Sequence, residues 1–447
     1  MPCNQIIAAI DIGTSKTVAI AGTKDEQGKI QILSIGEAET KGVIRGTVQN
    51  IMLASQSIKE AIEKCQKNLA RTITYVYVGI DGRNISSEVV THSKVINDII
   101  NDDDILQLTD EINKISASQG ENIIHVIAQD YAVDNVSVGI NPKGFNGRKL
   151  EGTFYIVKGK EKAVKNIYQA VELAGLKIIR LFLEPLASAE AVLSKDEKEI
   201  GVILADIGAG TTDIAVFQDN ILRYTGVVPL GGKSITNDIK KGCGILERHA
   251  EQIKIQYGAA LSQKDFEKKA VSIKGVNGKA KEIPFTTIAA IINARVEEIL
   301  GGIAYEIDNV RSETSLGAGL VLTGGTTKLK SLLQLTKFRL AIETRIGIPM
   351  INKQEFATEC YASAVGLIIK GCQDTEDRIE RQRIKQEKEA ASGQQQQSSQ
   401  PNNQDKNNKA KDDKNKDKGN SKQGGGIGGF FQKIANKLFS EPDDSKM

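Results

Sequence analysis

Two rhythms of apolar residues run along the chain. QIIAAIDIG, KTVAIAG, KIQILSIGEAE and TITYVYVGI are short, β-branched and bounded by Gly, Asp, Lys or Thr, and they predict buried strands within residues 5–80. Between the third and fourth, Asn50 to Leu69 follows a helical period, with Ile51, Ala54, Ile58, Ala61, Ile62 and Cys65 on one face. Lys160 to Ala174 is helical by the same test and ends at Gly175, a good residue for the position after a helix. Further on, Gly231 to Tyr257 is mostly helical and Thr286 to Val310 forms one long helix. Gly319 to Thr336 reads strand, Gly-Gly turn, helix, and Tyr361 to Gly371 reads as a closely packed helix of small and apolar residues.

The stretch from Arg83 to about Lys158 breaks this sequence of elements and reads as an inserted unit. It holds an acidic helix start, NDDDI, a strand-like IIHVIAQDYAVD and a Gly-rich turn, NPKGFNGRKLEG. Past Cys372 the apolar periodicity stops. Asp374 to Ala391 is nearly all charged and extends a helix into solvent. GQQQQSSQPNNQDKNNKAKDDKNKDKGNSKQGGG then lacks the apolar surface to offset ordering entropy and is expected to be disordered. A flexible tether of about 50 residues spans roughly 40 Å r.m.s..

Composition narrows the class. With 447 residues, 40% hydrophobic and 26% charged, the chain is of the soluble globular kind and long enough for two or more domains. A net charge of +3, with no Trp and no basic patch interleaved with aromatics, argues against nucleic acid as a partner. Five scattered cysteines (Cys3, Cys65, Cys243, Cys360, Cys372) form no CxxC pair and no even set, so a reducing cytoplasm is expected. No signal peptide is read at the start, and no apolar run reaches the roughly 18 residues needed to span a bilayer.

The chemistry lies in a repeated hairpin. IDIGTSKTVAIA (Ile10 to Ala21) and ADIGAGTTDIAV (Ala205 to Val216) both read strand, Asp-Ile-Gly turn, small polar tip, returning strand. Small residues at a tip let backbone N–H groups approach a phosphate, because Gly carries no Cβ. Two such tips, with Asp11 matching Asp206 and Gly13 matching Gly208, predict a duplicated α/β fold with a nucleotide between its halves. Gly13, Thr14, Ser15, Gly208, Ala209, Gly210, Thr211 and Thr212 are expected to line the phosphates, with Lys16 adding a point charge. Asp11 and Asp206, at strand ends, are placed to reach a hydrated Mg2+ ion. Asp206 and Asp213 are the candidates for orienting a water. Gly324 and Gly325, in LTGG, would lie flat against a base or ribose. Glu251 and Lys254, three apart on one helix face, would point into the same cleft. The three histidines have no metal-ligand spacing, and no nucleophile elbow is present.

GGGIGGFFQKIANKLFSEPDDSKM forms a second candidate site. At 100° per residue, Ile427, Phe430, Phe431, Ile434 and Leu438 fall within an arc of about 100°. Lys433 and Lys437 flank it, and Phe439 lies somewhat outside. A short amphipathic helix on a flexible tether fits an anionic membrane surface. Docking on the protein's own core or in a partner's groove is the competing reading.

The two hairpins, LEPLASAEAVL, LTGG and YASAVGLI, in that order, resemble the actin-like ATPase superfamily. Within it, HVIAQDYAVDN, GGKSITNDIKKG, AEQIKIQYG and GLVLTGGTTKLK resemble the FtsA family of bacterial cell-division proteins over residues 5–372 and the terminal helix. The resemblance implies a duplicated actin-like ATPase fold around ATP, with an inserted FtsA-type α+β subdomain (SHS2 domain) and a disordered tail ending in an amphipathic helix. It implies subdomain 1A over residues 5–82 and 159–200, the inserted subdomain 1C over 83–158, subdomain 2A over 201–230 and 301–350, and subdomain 2B over 231–300. A return helix over 351–372, a linker over 373–426 and a membrane-binding helix over 427–440 complete it.

The same resemblance implies binding of the FtsZ C-terminal tail, with Arg295 of INARVEEIL at a contact position, although Asn293-Ala294 stands where the family has Glu-Pro. It further implies self-association into filaments, contacts with other division proteins through the inserted subdomain, and peripheral attachment to the inner face of the cytoplasmic membrane at the septum. Nucleotide then serves mainly as a polymerisation switch, with at most weak ATPase turnover. The alternatives are a pilus or secretion assembly ATPase, or a sugar or acid kinase, of the same superfamily.

Overall fold

The computed structural model describes residues 5–115, 120–262, 264–274, 280–310 and 314–397; the terminal helix expected at 427–440 and the tether beyond Gln397 lie outside them. The chain divides into two compact units, Met1–Glu376 and Asp377–Met447, and the fold and the site below belong to the first.

Two five-stranded sheets share one topology. In the first, the order is Lys177–Leu183, Tyr75–Ile80, Ile7–Ile12, Lys16–Lys24, Ile30–Glu39; in the second it is Thr344–Ile346, Leu320–Thr323, Val202–Ile207, Thr212–Gln218, Ile221–Val228. In each, three antiparallel strands form a meander; its first strand pairs in parallel with one later strand, which in turn pairs in parallel with the edge strand. The matching registers extend to the hairpin tips: Asp11 faces Val18 and Ile12 faces Thr17, as Asp206 faces Asp213 and Ile207 faces Thr212.

The strands are apolar on both faces because both faces are covered. The helix Ile51–Leu69 starts where the Asn50 side chain accepts from the Leu53 N–H, and it lays Ala54, Ile58, Ala61, Ile62 and Cys65 on the first sheet. The helix Glu161–Leu173 packs beside it, and Gly175 takes the left-handed conformation just beyond it. The outer face of the second sheet is covered by Gly232–Cys243, Glu247–Tyr257 and the 26-residue Phe285–Val310.

The remaining faces of the two sheets meet in one core. Ile20, Ile32, Tyr77 and Phe182 come from one half and Leu204, Ala215, Phe217 and Val321 from the other. Two helices run through it: Glu184–Val192, with Pro185 in its first turn, and the opening stretch of Ala362–Gln397, up to Cys372. Helical backbone therefore continues through residues 373–397, part of the stretch 373–426 expected as linker.

The inserted unit has its own sheet, in the order Ile85–Val95, Lys149–Lys160, Glu121–Val133, Val136–Gly139, with the helix Asp102–Ile115 across it. Leu108 and Ile112 are fully buried there against Leu150, Phe154 and Ile156; each such side chain is worth about 2 kcal/mol. The base of this sheet is tied to the second half, where the Tyr155 hydroxyl donates to Ser87 (2.7 Å) and accepts from the Thr225 N–H (2.9 Å).

Candidate functional site: a cleft between two hairpins

The two hairpin tips face each other and touch. A Cβ on Gly210 would lie 2.3 Å from Thr14 Oγ1 and 2.8 Å from Arg45 Cα, so only glycine fits between them. Thr14 Oγ1 in turn accepts from the Gly46 N–H at 2.9 Å. Above the contact opens a cleft of about 450 Å³. It is lined by Asp11, Gly13, Thr14, Ser15 and Lys16 of the first hairpin and by Asp206, Gly208, Ala209, Gly210, Thr211 and Asp213 of the second. Glu251 and Lys254 line it from one side, and Gly324 and Gly325 from another. The structure thus brings together every residue expected there except Thr212. Strand alternation turns Thr212 inward: it is fully buried and its hydroxyl donates to the Leu230 carbonyl at 2.9 Å, so it does not line the cleft.

Several of these residues are held by a local device. The Gly208 and Ala209 carbonyls accept from the N–H groups of Gly232 and Lys233, which anchors the second tip to a helix start. Thr326 Oγ1 donates to the Gly208 carbonyl at 2.8 Å. Lys254 Nζ donates to the Gly232 carbonyl (3.0 Å), Thr236 Oγ1 (2.9 Å) and Glu251 Oε2 (2.9 Å), and the Thr236 hydroxyl also donates to Glu251 Oε2. Lysine and glutamate therefore reach the cleft wall as one braced pair. Gly324 has φ +89°, and a Cβ on it would lie 2.3 Å from Asp206 Oδ1. Glycine is needed there for conformation and for space alike.

Five carboxyls form the floor: Asp213, which is buried, and Asp11, Asp81, Glu184 and Asp206, which are half-buried. Burial is the main cause that raises all five above the usual carboxylate range. Asp11 rises to about 7, with Lys16 opposing and Asp206 adding to the rise, and Asp81 rises to about 6, with Asp206 again adding. Asp206 is moderated by the hydroxyls of Ser188 (2.8 Å) and Ser363 (3.2 Å), which both donate to its Oδ2. Asp213 Oδ2 accepts from Thr211 Oγ1 at 2.8 Å, while its buried Oδ1 has no well-formed hydrogen-bond partner. Such a floor suits a hydrated divalent cation, which would relieve the repulsion among these groups. Among the described residues no three His, Cys, Asp or Glu side chains stand close enough to hold a metal ion directly.

Asp81 and Glu184 are the acids that sequence reasoning missed. Both follow a strand end, Tyr75–Ile80 and Lys177–Leu183 respectively, and their signal was positional: an acid one residue beyond an apolar strand, then Gly82 or Pro185. A smaller cavity of about 300 Å³ at the root of the inserted unit shares Asp81, Pro185 and Asp213 with the cleft.

Arg295 lies outside the cleft on the helix Phe285–Val310, where its Nε donates to Asp238 at 2.6 Å and its Nη1 to Glu298 at 2.5 Å. The neighbouring Asn293 donates to the Ala260 carbonyl at 2.8 Å. Ile427, Phe430, Phe431, Lys433, Ile434, Lys437, Leu438 and Phe439 lie outside the described residues. Among the described residues, no helix is long and apolar enough to cross a membrane.

Comparison with known proteins agrees with this architecture. Residues 203–366 match the family model for "Cell division protein FtsA", and residues 82–158 match "SHS2 domain inserted in FTSA". The FtsA of Pseudomonas aeruginosa (strain PAO1) is 34% identical over 379 residues, 83% of this chain and 91% of that one. The FtsA of Neisseria meningitidis serogroup B is 32% identical over 376 residues, 82% and 90% of the two chains. Among solved structures, the PilM-PilN type IV pilus biogenesis complex superposes with a TM-score of 0.59 at 17% identity, over 82% of this chain and 98% of that one, a likeness of fold alone. On a duplicated actin-like ATPase fold carrying an inserted SHS2 subdomain, the chain belongs to the FtsA family of bacterial cell-division proteins.

Proposed function

We infer that the chain binds ATP with Mg2+ in the cleft between the hairpins and joins FtsZ filaments to the cytoplasmic membrane during septum assembly. The facing hairpins support the nucleotide most directly, since two tips of small residues line one cleft of about 450 Å³. Their backbone N–H groups and Lys16 would take the phosphates. Glu251 and Lys254 would take ribose and base, and Gly324 and Gly325 the flat face of the nucleoside. A hydrated magnesium ion held by Asp11 and Asp206 would supply positive charge to the phosphates. Asp206 and Asp213 would hold a water, and Glu184 lines the same cleft. Slow turnover suffices, because both sheets pack on the two helices that bound the cleft, and occupancy can set their relation without hydrolysis.

Outside the cleft, Arg295 offers a cation to an acidic FtsZ tail, and a counter-charge there would favour encounter and orientation. The inserted subdomain would contact the next copy in a filament and other division proteins. The terminal segment would lie on the anionic inner surface of the membrane, with Ile427, Phe430, Phe431, Ile434 and Leu438 buried and Lys433 and Lys437 among headgroups. Such a helix anchors weakly alone and strongly in a filament, through avidity.

Co-sedimentation of the full chain with anionic liposomes, Mg2+-ATP and an FtsZ-tail peptide tests this. The chain is expected to pellet and carry the peptide. Phe431→Glu with Leu438→Glu should leave chain and peptide in the supernatant while ATP binding persists; pelleting of that double variant would sink the helix anchor.

A further inference from the structure

Lys16 is placed at the phosphate end of the cleft, yet its ammonium is already engaged. It donates to Glu37 Oε1 at 2.7 Å and stands 3.8 Å from the centre of the Tyr361 ring. Glu37 comes from the strand Ile30–Glu39, which pairs with the strand that Lys16 opens. Tyr361 comes from the far end of the chain, and its hydroxyl is among the groups that lower the Glu37 carboxyl. Burial raises the Glu37 carboxyl, but Lys16, Tyr361 and Lys64 outweigh it and hold the group below its ordinary value. The side chains are 36% and 41% exposed for lysine and glutamate, so the pair is open to exchange with a competing anion.

The aromatic member has a second tie. Tyr361 ends the turn Glu359–Tyr361, whose Glu359 carbonyl accepts from the Gly324 N–H (3.1 Å) and the Thr323 hydroxyl (3.3 Å). Glu359 and Cys360 both line the cleft. One short turn thus touches Lys16 at the phosphate end and the glycine loop at the nucleoside end.

We propose that Glu37 and Tyr361 form a resting site for the Lys16 ammonium that a polyphosphate displaces, so that these two residues set how tightly phosphates bind and pass their arrival to the Gly324 loop. This rests on the nucleotide reading of the cleft. A lysine half-neutralised by Glu37 attracts a phosphate less than a lysine without that partner, and an anion fixed beside the site repels a second anion. Tyr361 adds to the cost through its ring face, the favoured place for a cation on an aromatic. When the ammonium leaves, the turn loses its contact with Lys16 and keeps its hold on Gly324.

Removing the resting partner should therefore strengthen binding. Calorimetric titration of the full chain with Mg2+-ATP is expected to show Glu37→Gln binding about threefold to fivefold tighter than the wild type, the range set by a partly exposed ion pair. Tyr361→Leu should shift affinity in the same direction and serves as the second variant should Glu37→Gln fold poorly. In a Lys16→Met background, which weakens ATP, Glu37→Gln should give no further gain. Unchanged or weaker ATP binding by both Glu37→Gln and Tyr361→Leu overturns the proposal, and so does a gain that persists without the lysine. Failure of the wild-type chain to bind ATP overturns the nucleotide reading itself, a result distinct from either.

Discussion

A Cβ on Gly366 would lie 1.8 Å from the Ala187 carbonyl oxygen. These residues sit where the helices Glu184–Val192 and Ala362–Gln397 cross between the two halves of the fold. Their closeness has a use. Ser188, next to Ala187, and Ser363, one turn before Gly366, both donate to the same oxygen of Asp206. The crossing point and the cleft floor are thus one construction, with a strand-end carboxylate pinned by both crossing helices.

Gly366→Ala should therefore cost both stability and ligand. A methyl against backbone cannot be relieved by a rotamer change, and overpacking of this kind costs about 3 kcal/mol. A lowered urea midpoint together with weaker Mg2+-ATP binding is expected. Loss of stability with unchanged ATP affinity would mean that the serines do not set the Asp206 geometry.

Gly324→Ala tests the nucleoside loop. The residue has φ +89°, and its new methyl would press on Asp206 Oδ1. With ψ 158° the conformation is one essentially reserved for glycine and alone costs about 2 kcal/mol, and the displaced carboxylate adds to the effect on binding. ATP affinity should fall by about tenfold or more, read by titration, while the circular dichroism spectrum stays that of the wild type.

His125 predicts an acid limit to stability. It is 7% exposed, its Nε2 accepts from the Leu183 N–H at 3.0 Å, and its ring stacks on Phe182. Burial first, then the charges of Arg180 and Lys370, lower its pKa from 6.5 to about 3. The histidine is thus neutral in the folded chain at pH values where the unfolded chain binds a proton. Its contribution is whole above pH 6.5 and is lost as pH falls from there toward 3, reaching about 2 kcal/mol of lost stability at pH 5. His125→Asn, which keeps an acceptor and removes the titration, should flatten that part of the pH-stability curve. An unaltered slope in the variant would show that other groups set it.

Arg295 and its partner separate recognition from stability. The arginine is pinned by Asp238, and both side chains are about a quarter exposed, at 23% and 26%. Arg295→Glu is expected to abolish binding of an acidic FtsZ-tail peptide at a stability cost of only about 1 kcal/mol. Asp238→Asn should retain or improve peptide binding, because it frees the guanidinium of one of its two carboxylate partners. Peptide binding that survives Arg295→Glu would place the contact elsewhere.

Legibility from sequence followed the range over which each constraint acts. The hairpins, the LTGG loop and the helices at 51–69 and 285–310 were readable because strand period, helix period and glycine need only neighbours along the chain. Thr212 was misplaced because the motif was read as a string, when the two-residue alternation of its strand buries it. Asp81 and Glu184 were missed for a different reason. Each is an ordinary strand-end acid until the fold sets it beside Asp11, Asp206 and Asp213, and that proximity joins residues from separate stretches of the chain. The Lys16, Glu37 and Tyr361 contact is also non-local, and no periodicity carries it.

The matching registers of the two hairpins set a division of labour between paired halves. Where the first copy has Lys16 and Val18, the second has Thr211 and Asp213 at the equivalent positions. One repeat thus carries the cation and the other the extra carboxylate. A nucleotide has a single polyphosphate end, so two identical hairpins would compete for it, whereas these two give the cleft a polarity. The duplicated frame supplies symmetry, and these two differences break it by one charge of each sign.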